Sequence, residues 1–120
     1  MAALNKQMII GNLVKDPEMR ETTGGKRLAV FSVAVNEKYG DKEETEYFDV
    51  ALWDKLADVA ERYLKKGDSV YIEGKRKTHT WDDQGVRKYR TELIGFVLQM
   101  LGSKPQINSA DSSGNVASFG

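Results

Sequence analysis

The sequence predicts an all-β domain, a five-stranded barrel with one helix between strands three and four. Three observations lead there. Apolar residues recur with a period of two in several separate segments, the pattern of strands with one buried face. Turn-forming residues divide those segments: Lys15-Asp16-Pro17, Gly24-Gly25, the surroundings of Gly40, and Asp82-Asp83-Gln84-Gly85. Only the stretch DKLADVAERYLKKGD repeats at helical spacing, and it follows the third strand.

The first strand is expected from Leu4 to Val14, with Gly11 marking a bend or bulge inside it. The second follows Gly24-Gly25 and runs from about Lys26 to Asn36 through LAVFSVAV. Glu37 to Glu46 is polar and charged, as an exposed hairpin loop would be. In the third strand, Thr45 to Trp53, the aliphatic set Phe48, Val50 and Leu52 belongs to the core, which leaves Tyr47 and Trp53 on the opposite face. The helix has Asp54 as its expected N-cap and Gly67 as its left-handed terminator, with Leu56, Val59, Ala60, Tyr63 and Leu64 as its apolar stripe. Val70 to Trp81 is strand four and Val86 to about Leu101 strand five. From Leu93 onward both faces of strand five are apolar, which points to burial on both sides. Five strands with their helix between the third and fourth match the order of an OB-fold, the small Greek-key barrel.

At 120 residues the chain fits one domain with one core. The boundary is expected near Gly102, giving an OB-fold domain over residues 1–102. Residues 103–120 are rich in Ser, Asn and Gly and too poor in apolar groups to offset chain entropy, so they read as a flexible tail. The absence of cysteine removes disulfides, zinc-cysteine sites and thiol nucleophiles, and suits a reducing compartment. One histidine cannot build a metal cluster, so no metal and no cofactor is expected. No apolar run is long enough to cross a membrane, and the protein is read as cytoplasmic.

In strand four, Tyr71, Lys75, Lys77, His79 and Trp81 share one face, interrupted by Glu73. Burying this stripe would desolvate two ammonium groups, whereas a nucleic acid could place bases on the rings and phosphates beside the charges. The net charge is zero, which argues mildly against such a partner. The distribution argues for one. Between Gly74 and Thr91 six cations stand against two anions, while Glu37 to Asp49 has six anions and two cations. Lys75 and Lys77 on strand four, with Arg87, Lys88 and Arg90 on strand five, should form a basic hairpin finger tipped by Trp81. Single lysines on an edge strand commonly guard against aggregation; it is their convergence that points to phosphates. His79 lacks any accompanying catalytic motif and is read as an accessory contact, so the chain is not expected to be an enzyme.

The segments IIGNLVKDPEMR, TEYFDVALWDKLADVAERYLKKGDSVYIEG, TWDDQG and LQMLG together resemble the bacterial single-stranded DNA-binding protein family, over residues about 5 to 102. The resemblance implies a protein that coats single-stranded DNA with little sequence preference in replication, recombination and repair. It implies stacking aromatics at Tyr39 in the loop after strand two, at Tyr47 and Trp53 on strand three, and at Trp81. Tyr39 and Tyr47 stand where tryptophan is often found, and Trp53 where phenylalanine is common. It also implies a homotetramer in which the strand near Leu4 to Ile9 pairs with its equivalent, with Phe48 at an assembly-sensitive position. Many members end in an acidic tip finishing in Pro-Phe that recruits repair and replication proteins. This sequence ends NVASFG, with Asp111 as the one acid of its tail, so either it stops short of that tip or the recruitment is absent. The alternative class is an OB-fold interaction protein of the primosomal replication type, for which DNA binding is secondary.

Overall fold

The computed structural model describes residues 1–102, so the expected tail, residues 103–120, lies outside the described residues. Six strands and one helix follow in order: β1 (Gln7–Leu13), β2 (Glu18–Glu21), β3 (Arg27–Tyr39), β4 (Lys42–Trp53), α1 (Lys55–Tyr63), β5 (Ser69–Asp83) and β6 (Val86–Gly102). β1, β5, β6, β4 and β3 close into a ring, because β1 also pairs with β3 at Asn12↔Ala34 and Leu13↔Val33. The parallel contact of β4 with β6, at Val50↔Leu93 and Ala51↔Ile94, completes the circuit, and the chain has the expected OB-fold. β2 is an addition to the expected five. It pairs with the start of β3, and its sequence EMRE shows no apolar run because only Met19 reaches the core.

Alternation explains the ring's interior. Ala29, Phe31 and Val33 of β3 oppose Leu52, Val50 and Phe48 of β4, and Val70 and Ile72 of β5 join them in one buried cluster with Ile9, Leu13 and Leu93. Gly11 is neither bend nor bulge, since β1 keeps unbroken register with β5. It lies where β1 crosses β3, and a Cβ there would meet the Ala34 carbonyl oxygen at 2.3 Å. Closure of the ring therefore needs a residue without a side chain at this crossing.

The helix is shorter than expected. Asp54 occupies the N-cap position at φ 55°, ψ −117°, but its side chain makes no capping bond. Its backbone N–H instead donates to the Arg27 carbonyl at 3.0 Å, which ties the β4-to-helix corner to β3. The helix ends at Tyr63 because Leu64 turns extended and drops into the core; Gly67 serves the following turn and does not cap. Ala57 and Ala60 face the barrel, while Tyr63, expected in the apolar stripe, is exposed.

Two further expectations change. Residues 37–46 do not form a loop: β3 and β4 stay paired to Tyr39↔Lys42, leaving only Gly40-Asp41 as the turn. Both faces of this extension are wet, so alternation is invisible there. Nor is the second half of β6 buried on both sides, since Phe96, Val97, Met100 and Leu101 are exposed in the single chain. Irregularities in the β5–β6 register after Ser69 and Glu73 leave Leu101 and Phe96 without direct partners on β5.

Replacing Gly11 with alanine should force β1 away from β3 and cost about 1–3 kcal/mol, the usual range for overpacking. Urea unfolding of the variant checks this; a midpoint equal to that of the parent would contradict the close approach.

Candidate nucleic-acid interface

β5 and β6 leave the barrel together. β1 accompanies β5 only as far as Gln7↔Gly74, and beyond that point β5 pairs with β6 alone, out to Asp83↔Val86. The turn is Gln84-Gly85, with φ of 53° and 83°, the two positive values that a type I′ hairpin requires. At the root of this finger Gly74 opposes Gly95, and a Cβ on Gly74 would fall 1.8 Å from the Ile94 carbonyl oxygen. The finger is thus an extension of two barrel strands.

Register assigns each finger residue to a face. One face carries Lys75 opposite Ile94, Lys77 opposite Glu92, His79 opposite Arg90, and Trp81 opposite Lys88; the other carries Arg76, Thr78, Thr80, Asp82, Arg87, Tyr89 and Thr91. Arg87 is therefore not on the face of Lys75, Lys77, Lys88 and Arg90, although all five belong to the finger. Trp81 is 46% exposed. Among the described residues Lys75 and Lys77 make no ion pair, whereas Lys88 bridges Asp83 at 3.0 Å and Arg87 approaches Asp82 at 3.5 Å.

His79 and Arg90 share one carboxylate. Glu92 is only 8% exposed and lies 2.6 Å from the His79 Nε2 and 3.2 Å from the Arg90 Nη2. A carboxylate so placed needs both partners, since burying it alone would be costly. This pairing takes His79 and Arg90 into the structure of the finger, and the sequence pattern had no signal for it beyond the two-residue offset between Arg90 and Glu92.

The barrel wall supplies the next rings. Tyr47 and Trp53 point outward from β4 as alternation predicts, in one row with Asp49 and Ala51 and about 20 Å apart at the rise of a strand. Tyr47 is 65% exposed because its neighbour across the ladder is Ala34. Trp53 is half-buried beside Leu28, beyond which Arg20 of β2 continues the row. Between these rings and the finger lies a groove of about 280 Å³ lined by Arg20, Ser32, Asp49, Arg90 and Glu92, in which the Ser32 hydroxyl donates to Asp49 at 2.9 Å. Arg20 and Asp49 were not among the expected site residues, because β2 is hard to see in the sequence.

Two expected residues sit elsewhere. Tyr39 is on the register face of Glu37, opposite to that of Tyr47 and Trp53, and its hydroxyl donates to Glu37 at 3.1 Å, which raises the phenol's pKa. Tyr71 lies on the barrel part of β5, between Ile10 of β1 and Gln99 of β6. Its hydroxyl donates to Glu73 at 2.7 Å; this bond raises the Tyr71 pKa and, with Lys6 at 2.9 Å, holds the Glu73 carboxyl below its usual range. The stripe read along β5 thus divides at Gly74 into a barrel part, Tyr71 and Glu73, and a finger part, Lys75 to Trp81.

Among the described residues no group of three or more His, Asp or Glu side chains converges as a metal site would, and no helix is long and apolar enough to cross a membrane.

Comparisons with known proteins bear on the family and the fold. The model of the single-strand binding protein family matches residues 4–101. The chain is 46% identical over 108 residues to single-stranded DNA-binding protein 1 of Chlorobaculum tepidum, an alignment covering 84% of this chain and 67% of that protein. A solved structure of the Plasmodium falciparum SSB in complex with single-stranded DNA superposes with a TM-score of 0.79 at 32% identity, covering 85% of this chain and 98% of the other. Sequence, fold and the match over nearly all of the described residues lead to one conclusion: the chain belongs to the single-strand binding protein family.

Proposed function

We propose that this protein binds and coats single-stranded DNA with little sequence preference, without catalysing a reaction, and serves replication, recombination and repair in the cytoplasm at the nucleoid. The observation that carries this reading is the placement of outward-facing rings on the barrel wall, Tyr47 and the half-buried Trp53, and on the finger, Trp81, with the unpaired Lys75 and Lys77 on the finger face of Trp81. Rings offer every base a π-face, whereas a duplex keeps its bases stacked inside; the surface therefore selects unpaired strands. Arg87, Lys88 and Arg90 are engaged with carboxylates in the free protein. Exposed pairs are worth little and exchange readily, so Arg87 and Lys88 can turn to phosphates as the strand arrives. His79 and Arg90 contribute from fixed positions beside Glu92. Tyr39, at the tip of the β3–β4 hairpin, is the most remote of the proposed rings, and Tyr71 the least suited, because its face is that of the assembly surface.

We place binding and assembly within residues 1–102 and read the active form as a homotetramer. Gln7 to Gly11 of β1 pair with β5 along one edge, while the other edge meets β3 only at Asn12 and Leu13. An open edge beside exposed Met8, Ile10 and Val97 suits antiparallel pairing with a second copy about a two-fold axis. Phe48 lines the cleft along this edge with Val35, Glu37 and Glu46.

Trp81→Ala should weaken binding to oligothymidylate by about 1–3 kcal/mol, the range for one stacked base in single-strand binders generally, or about five- to 150-fold. A fluorescence titration against single-stranded and duplex oligonucleotides tests both the site and the strand preference; equal affinity for the two would sink the proposal. Affinity should also fall with salt by about 0.7 log unit per log unit for each neutralised phosphate, and Lys75→Ala with Lys77→Ala should flatten that slope. An unchanged slope would place the phosphate contact elsewhere. Finally, Met8→Glu with Ile10→Glu should lower the particle mass in light scattering while leaving the barrel folded by circular dichroism. A mass that stays at four chains would rule out the β1 face as the interface.

A further inference from the structure

The finger has a second face on which Arg87 alone of the expected contacts lies. Arg76, Thr78, Thr80, Asp82, Arg87, Tyr89 and Thr91 lie on it by register. Tyr89 is 72% exposed, more than any other ring on the finger, and its neighbour across the ladder is the small Thr80. Nothing among the described residues covers this ring. At the root of the same face, Arg76 is exposed and its guanidinium has no carboxylate partner among the described residues. Its backbone is held on both sides by Asn5, whose side-chain amide donates to the Arg76 carbonyl at 2.8 Å and accepts from its N–H at 3.2 Å. The side chain is thus anchored at its base while its charge is left in water.

The face has one carboxylate, Asp82, which Arg87 already approaches. Between Arg76 and Tyr89 stand only threonines, two of which, Thr78 and Thr91, bring their hydroxyls within 3.4 Å of each other. A cleft of about 220 Å³ lined by Tyr47, Arg76 and Thr91 joins this face to the barrel wall; its two carboxylates, Asp49 and Glu92, are engaged by Ser32 and by His79 and Arg90. Tyr47, from the barrel, therefore borders the root of the finger's second face.

We propose that single-stranded DNA runs along both faces of the finger, with Arg76 taking a phosphate and Tyr89 stacking a base on a second track that begins at Tyr47. The inference rests on the single-strand binding reading and extends it. A ring and an unpaired guanidinium about four strand residues apart, with no competing carboxylate between them, repeat on this face the chemistry that Lys75, Lys77 and Trp81 offer on the other. The competing explanation is that Tyr89 merely steadies the two-stranded ribbon through its contact with Thr80. That explanation assigns no role to Arg76.

The test is a set of titrations with two oligothymidylates, one of about six nucleotides and one of about thirty, at the low end of and well above the roughly 4–16 nucleotides that one such barrel covers. The variants are Tyr89→Leu, Tyr89→Phe, Arg76→Gln and Trp81→Ala, each checked for thermal unfolding. Tyr89→Leu should weaken the long oligonucleotide by about five- to 150-fold, as loss of one stacked base does, and leave the short one unchanged; Tyr89→Phe, which keeps the ring, should bind as the parent does. Arg76→Gln, which removes a guanidinium with no hydrogen bond or ion pair among the described residues, should lower the salt slope for the long oligonucleotide by about 0.7. If Trp81→Ala weakens binding while Arg76→Gln keeps the parent slope and Tyr89→Leu the parent affinity, the second track is overturned and the single-strand reading stands. If Trp81→Ala is also without effect, it is that reading that fails. If Tyr89→Leu lowers the unfolding temperature and affinity together while Arg76→Gln changes nothing, Tyr89 steadies the ribbon and the proposal is again overturned.

Discussion

The close approach of β5 and β6 at Gly74 and Gly95 is the constraint on which the rest of the structure depends. On one side of it the two strands are barrel wall, with Val70 and Ile72 in the core; on the other, once Leu93 and Ile94 of β6 have passed β4, they are a ribbon that stands in water. The Gly95 position lies against Leu52 and Ile72, so the finger is rooted in the same cluster that holds the barrel together. A two-stranded ribbon is marginal by itself. Here it inherits its direction from the core, and the rings and cations it carries inherit their spacing from the strand.

Function follows from what the core leaves unburied. The inner faces of β3 and β4 are aliphatic and use the hydrophobic effect to close the ring, which leaves the outer face of β4 available for Tyr47 and Trp53. Neutral overall charge is compatible with a polyanionic partner because the anions are either set apart from the unpaired cations or engaged by other side chains. Glu37 and Glu44 oppose each other on the β3–β4 hairpin, on the register face away from Tyr47, and Glu92 is buried against His79 and Arg90. What remains open beside Trp81 is Lys75 and Lys77.

Legibility in the sequence tracked burial. The helix and its place after the third strand, the core set Phe48, Val50 and Leu52, and the outward Tyr47 and Trp53 could be read because one face of each element is dry. The β3–β4 extension could not, since residues 37–46 are wet on both sides and lack a period. β2 was invisible for the same reason, with Met19 as its one inward residue. The faces of Tyr39 and Arg87 depend on where a strand ends, and strand ends in a ribbon are set by turns of two residues that polar sequence does not advertise. The apolar second half of β6 misled in the opposite direction: its residues have the character of buried ones, but in the single chain nothing among the described residues covers Phe96 and Val97.

The most direct measurement of the central claim, that unpaired bases stack on the outer wall of β4 and on the finger, is photocrosslinking of an oligonucleotide carrying halogenated uracils, followed by identification of the modified peptides. Crosslinks at Tyr47, Trp53 and Trp81 are expected. Crosslinks confined to Met8, Ile10 and Tyr71 on the β1 side, or to α1, would contradict the claim and move the binding surface to the opposite side of the barrel.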